Sequence, residues 1–336
     1  MTQKKQRIEW LDMAKGYGII LVVIGHCDMP DLPIYIFAFH IPLFFFLSGF
    51  LFSLKANFKS FIETKYKRII IPYICLSIPM ALFTLLFYNN GFSFDLEDIW
   101  KEVSCFIIQK RHTTLWYLST LLVLNFIMYP IIRYINGPLL KVFILLCLCL
   151  SGLFLWQFNI KALPWNIDAA LVVIPFFYAG YLFKGQLYGE KIKKANKLLV
   201  YSTILVLGIV VGVLNHMNCY ASGKMVDIFN SRFNNEWLTY IVATLGIFMV
   251  ILLSMCHQNR IISYIGRNSL LYFAWHQTII LPFLSYVYYK VGISQWTVYK
   301  ETVFFKWISV VLVLCIITVL NEVITHSKLR FVIGKH

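Results

Sequence analysis

The chain has 336 residues, 60% of them hydrophobic and only 13% charged, with a formal net charge of +15. Soluble domains carry roughly a quarter charged residues, and surface shrinks only slowly relative to volume. A mean hydropathy of +0.73 therefore excludes a soluble fold and makes lipid the solvent for much of the surface. The expected fold is all-α: one polytopic membrane domain over residues 1–336, with about ten transmembrane helices of about 20 apolar residues each.

In chain order the expected spans are 13–29, 34–53, 70–89, 115–132, 139–157, 168–183, 198–215, 237–256, 268–289 and 304–324. The 168–183 span is short and contains Pro175, which neighbouring helices can accommodate in a membrane. The first apolar run begins near Ala14 with no small-x-small site after it, so the first helix is expected to stay in the mature protein. The longest connections are 90–114 and 216–236; the first, with Asp95, Glu97, Asp98 and Glu102, suits a short amphipathic helix. The eight cysteines fall mostly in apolar runs without a CxxC pair, and they read as small hydrophobes rather than a disulfide or zinc framework.

The net charge invites a nucleic-acid reading, but its distribution assigns it to topology. With the N-terminus inside, 21 of the 30 Lys and Arg residues fall on cytoplasmic connections and 9 outside. A basic excess marks the cytoplasmic face, so both termini are expected in the cytoplasm. The expected partner is the bilayer, not nucleic acid.

Ionisable groups at membrane depth are costly and usually functional. In the first span Asp12, Lys15, Ile19, Val22 and His26 are spaced 3, 4, 3, 4, which puts them on one helical face. Lys15 and His26 are eleven residues apart, about 16 Å along a helix, so that face is basic near the cytoplasm and carries an imidazole deeper in. The second span holds His40 at similar depth, then Ser48-Gly49, a small surface for close helix contact. In the ninth span Asn268, Tyr272 and His276 repeat every four residues. Three histidines from three helices are thus placed to converge. A lone intramembrane His more often hydrogen-bonds a neighbouring helix, Trp116 and Tyr117 by default anchor an interface, and Lys65, Lys67 and Arg68 by default mark the cytoplasmic side. No HxxxH or HxxE metal spacing, no GxSxG, no Walker loop and no glycine-rich dinucleotide turn occurs. The residues alone leave an enzyme and a proton-coupled secondary transporter both open; the polar stripe argues against a purely structural subunit.

Several blocks, in order along the chain, add to this. Asp12…Lys15-Gly16…Val22-Val23-Ile24-Gly25-His26 and Phe39-His40-Ile41-Pro42-Leu43-Phe44-Phe45-Phe46-Leu47-Ser48-Gly49-Phe50 are followed by Arg68-Ile-Ile-Ile-Pro72-Tyr73 and Leu115-Trp116-Tyr117-Leu118. Pro175-Phe-Phe-Tyr-Ala-Gly180-Tyr181 and Ile265-Gly266-Arg267-Asn268-Ser269…His276 complete the set. Together they resemble the acyltransferase 3 family of bacterial membrane acyltransferases, in the flavour of fucose 4-O-acetylase-like sugar O-acetylases. The resemblance implies transfer of an acyl group, commonly acetyl from acetyl-CoA, onto a hydroxyl of a cell-surface glycan or its lipid-linked precursor. It implies a bacterial cytoplasmic-membrane location and His26 as general base, with His40 and Asp12 beside it. It places the donor against Lys15, Arg68, Lys65 and Lys67, and the acceptor against Trp116, Tyr117, Asn268 and His276. Lys15 stands where the family more widely has Arg. No permanently bound cofactor and no metal is implied; self-association is left open.

Overall fold

A computed structural model describes residues 8–55, 57–87, 95–160, 162–184, 195–292 and 302–334. It is 81% helical, and no strand occurs among the described residues. Among the described residues, eight helices are long and apolar enough to cross a membrane, or nine if one bent pair counts as a span. Helix α1 (Glu9–His26) is not among them, because its 18 residues carry Glu9, Asp12 and Lys15. Asp12 and Lys15 belong to the polar face predicted from the sequence; Glu9 lies one turn before Asp12.

The chain divides into two interleaved compact units. The first comprises Met1–Leu51, Phe176–Asp227 and Phe233–Tyr272. It contains α1, α2 (Leu32–Ile36), α3 (His40–Leu51) and most of α10 (Ile174–Phe183). It also contains α11 (Lys197–Ser222), α12 (Glu236–Cys256), α13 (Arg260–Arg267) and the start of α14 (Ser269–Trp275). Here α1 is the hub, packed on α3, α12 and α13. Two crossings bring backbones together. A Cβ added to Gly49 of α3 would lie 1.9 Å from the Phe177 carbonyl oxygen of α10, and one on Gly180 1.9 Å from that of Phe46. This is the close contact expected of Ser48-Gly49. At the second crossing, a Cβ on Gly16 would lie 2.1 Å from the Ile262 oxygen and one on Gly266 1.8 Å from the Asp12 oxygen. The obstacle is backbone, so Gly266→Ala must push α13 off α1. We expect a loss of at least about 1–3 kcal/mol, as for overpacked cores, measured as unfolding in detergent. An unchanged midpoint would contradict this crossing.

The second unit comprises Phe52–Pro175, Ile228–Arg232 and Phe273–His336. Its elements are α4 (Phe58–Lys65), α5 (Ile71–Phe87), α6 (Leu96–Ile108), α7 (Trp116–Tyr134), α8 (Pro138–Gln157) and α9 (Ile167–Val172). The end of α14, α15 (Leu281–Lys290) and α16 (Val303–His326) complete it. The basic cluster 55–68, expected in a loop, is mostly helical: Phe58–Phe87 forms one long span. Two wide π turns, Tyr66–Ile70 and His276–Ile280, each precede a proline by one residue. Pro72 and Pro282 cannot donate to the carbonyl four residues back. The amides just before them, Ile71 and Leu281, reach five back instead, to the oxygens of Tyr66 and His276. The expected amphipathic helix appears as α6, capped by Asp95, whose carboxylate accepts from Glu97 N at 3.2 Å. Asparagines do the same elsewhere: Asn57 caps α4, Asn196 α11, Asn235 α12 and Asn259 α13, each satisfying an otherwise orphan first-turn amide.

Three of the boundaries that differ from the sequence reading have a local cause. Helix α11 runs to Ser222, seven residues past the expected end. The 168–183 span is instead two helices, Pro164–Val172 and Ile174–Phe183, bent by 62°; Pro175 sits in the first turn of α10, where its missing N–H costs nothing. The expected 268–289 span begins only at Ser269, because Asn268 closes α13 with its side chain donating to the Tyr264 oxygen at 2.9 Å.

Candidate active site on the first helix

In the first unit, α1 ends on His26. The His26 Nδ1 lies 2.8 Å from the Val22 carbonyl oxygen. A carbonyl only accepts, so Nδ1 carries the proton and neutral His26 presents a basic Nε2. Asp28 and Asp227 act on the ring electrostatically. His40 opens α3 and is arranged alike, its Nδ1 3.0 Å from the Ile36 oxygen. Phe37 lies between the two imidazoles, with ring centroids 5.6 Å from His26 and 5.0 Å from His40. Two of the three expected histidines therefore share one neighbour. His40 is buried and His26 half-buried.

At the other end of α1, Asp12 is buried at 8% exposure and Lys15 is half-buried. Asp12 lines a polar cavity of about 600 Å³ together with Glu9, Met13, Gln258, Asn259, Arg260, Ser263 and Arg267. Asn268 belongs to this unit, but the break at Arg267 removes it from any single stripe with His276.

The remaining expected residues lie in the second unit. His276 opens a π turn, is fully buried, and donates Nδ1–H to the Phe273 oxygen at 3.0 Å. The Lys65 ammonium donates to Asn125 Oδ1 at 2.5 Å and lies 5.3 and 5.2 Å from the Phe52 and Phe61 ring centroids. That leaves Lys67 and Arg68 as the exposed charges of the trio. Trp116 and Tyr117 are buried rather than facing a headgroup layer. Tyr117 packs on Phe273 at 4.9 Å, and Trp116 lies 5.7 Å beneath the Arg111 guanidinium.

Arg111 is the centre of a network that sequence reasoning missed. Its Nη2 is 2.5 Å from Asp168 Oδ2 and 3.0 Å from Ser231 Oγ. Nη1 donates to Asn166 Oδ1 at 2.9 Å, and Nε to the Phe229 oxygen at 2.8 Å. Trp156 Nε1 donates to Asp168 Oδ2 at 2.8 Å. A signal was present: Asp168 opened an expected span, where a carboxylate needs a partner. His112 Nε2 lies 3.1 Å from Glu102 Oε1 nearby. Among the described residues no three His, Cys, Asp or Glu side chains are grouped to hold a metal ion.

Comparison with curated proteins and with solved structures returns no match. Residues 8–325 match the family model described as an acyltransferase domain. That match covers nearly the whole chain, from the start of α1 through almost all of α16, and so the protein belongs to the acyltransferase 3 family of membrane acyltransferases.

Proposed function

We propose that this protein is a membrane O-acyltransferase of the fucose 4-O-acetylase-like branch, working in a bacterial cytoplasmic membrane. It moves acetyl from acetyl-CoA onto a hydroxyl of a cell-surface glycan or a lipid-linked precursor. The observation that carries this reading is His26, whose Nδ1 is committed to the Val22 oxygen so that Nε2 is the proton acceptor. Nε2 takes the hydroxyl proton as the alcohol oxygen attacks the thioester carbonyl carbon. The carbon–sulfur bond breaks, and the departing thiolate takes the proton from the imidazolium, leaving the ester, free coenzyme A and neutral His26. His40 orients His26 through Phe37 or holds the acceptor. Asn268 and His276 stay acceptor candidates, and buried Trp116 and Tyr117 act through the packing they brace. Lys15 faces the donor, and exposed Lys67 and Arg68 steer it. The half-buried Lys65, engaged with Asn125, serves the packing of its own helix.

A transporter would favour paired broken helices in corresponding halves; one bent pair occurs among the described residues. The test is the purified protein in nanodiscs with acetyl-CoA, following free thiol with and without a surface-glycan extract. Thiol release that depends on the extract is expected; release indifferent to it would overturn the reading.

The topology carries its own prediction. From the 21-to-9 basic split, reporter fusions after Leu51 and at the C-terminus should both read cytoplasmic. An extracytoplasmic signal at either position would break the alternation.

A further inference from the structure

Helix α11 has 26 residues, about 39 Å of rise, against a hydrocarbon core of about 30 Å. Its Lys197 end follows Lys184, Lys191, Lys193 and Lys194, on the expected cytoplasmic side. About 20 residues carry a helix across the core, so His216 stands at the outer boundary and Tyr220 beyond it. Asn218 braces this end against α12: its Nδ2 donates to Thr239 Oγ1 at 2.9 Å and its Oδ1 accepts from Asn235 N at 3.0 Å. Asn215 Nδ2 donates to the Ile34 oxygen and ties α2 to the same turn.

Three rings lie in a row on the exposed side of that end. Gly212, His216 and Tyr220 repeat every four residues, along one helical face. The Tyr35 ring of α2 lies over Gly212, its Cδ1 3.8 Å from where a Cβ would stand. It is inclined by only 13° to the His216 ring, with centroids 6.5 Å apart, and His216 by 21° to Tyr220, with centroids 6.1 Å apart. Carbon atoms in contact are about 3.5–4.0 Å apart. Near-parallel rings at the larger spacing are stepped like tiles rather than eclipsed, and each leaves much of its face open. Tyr220 is 83% exposed, His216 is exposed and Tyr35 is half-buried. Among the described residues, neither the His216 ring nitrogens nor the Tyr35 and Tyr220 hydroxyls bond a protein group.

Tyrosines at a membrane boundary anchor helices by default. Such an anchor is a lone ring among headgroups; here the middle ring is an imidazole, and buried asparagines hold the helix end that carries it. The negative ring faces repel a phosphate. They match the C–H face of a pyranose, whose rim of hydroxyls meets the imidazole and phenols as hydrogen-bond partners. We propose that Tyr35, His216 and Tyr220 form a stacking platform for the saccharide chain of the acceptor. This rests on the glycan-acceptor reading above and adds a subsite to it. Tyr35 and Phe37 are two residues apart on α2, so they face different sides of that helix, and Phe37 is the ring between His26 and His40. The platform therefore holds sugars that flank the acylated one and sets affinity for a chain of sugars.

The test is microscale thermophoresis of the full-length protein in phosphatidylglycerol nanodiscs, titrated with the oligosaccharide fraction of a surface-glycan extract. His216→Ala/Tyr220→Leu should bind that fraction about tenfold more weakly, as for two lost ring contacts. Tyr220→Phe keeps the ring face and should stay within about threefold of wild type. Tyr201→Ala, at the cytoplasmic end of α11, should bind as wild type. Wild-type affinity in the double variant, as an apolar anchor that tolerates Leu would give, or no oligosaccharide binding by wild type, would overturn the platform. The acyl-transfer reading answers to a different result, extract-dependent thiol release, and survives either outcome. Tenfold weaker wild-type binding in phosphatidylcholine nanodiscs would assign the rings to a choline headgroup and overturn the proposal.

Discussion

His26→Ala is expected to lose acyl transfer by about 10²–10⁴-fold, the usual worth of a positioned general base, while still inserting and purifying. The comparison with His26→Gln gives the result its meaning. A Gln amide N–H can donate to the Val22 oxygen that now receives Nδ1, so local geometry is kept. What Gln lacks is a site that takes a proton at neutral pH. If the imidazole acts as base, both variants are comparably inactive. If His26 only ties helices together, Gln restores turnover and the Ala loss appears as stability, about 0.6–2 kcal/mol for an interhelical bond in a membrane. Single-turnover rates with saturating acetyl-CoA separate these outcomes. Near-normal turnover of the Gln variant would move the base to His40 or His276.

Arg111→Ala should strongly destabilise the second unit. The Arg111 side chain is 8% exposed and that of Asp168 0%. Removing the guanidinium leaves the buried carboxylate with Trp156 Nε1 and Leu163 N as donors, and strips Phe229 O and Ser231 Oγ of theirs. Breaking a buried pair by deleting one partner costs about 3–5 kcal/mol. The surrounding turn has little reserve, because Gln109, Arg111 and Thr113 all hold positive φ, at 47°, 55° and 52°, which β-carbon sterics disfavour. Unfolding by SDS titration should show this loss for Arg111→Ala, against a change within about 0.5 kcal/mol for exposed Arg330→Ala. Equal behaviour of the two would mean that the network is not stabilising the fold.

Hydropathy made most spans legible, because twenty apolar residues in a row have few alternatives in water. Ser48-Gly49 announced a close crossing, and Asp95 with its acidic neighbours announced α6. What stayed hidden is set by tertiary contact. Nothing in Tyr264–Ser269 resembles a break; α13 stops at Arg267 because the Gly16–Gly266 crossing and the Asn268 side chain fix its end, and the Asn268–Tyr272–His276 stripe is lost with it. Arg260 and Arg267 read as topology charges, since a cavity needs the walls of two helices to exist. On α1 the 3, 4, 3, 4 spacing did predict a polar face, though the helix starts at Glu9 and ends on His26, earlier than the apolar run suggests.

The most direct test of the acyltransferase account is mass spectrometry of surface glycans. Cells lacking this protein are compared with the same cells carrying the wild-type chain or His26→Ala. A glycan one acetyl heavier with wild type, and unmodified in the other two, is the predicted result. Identical glycan masses in all three would contradict it.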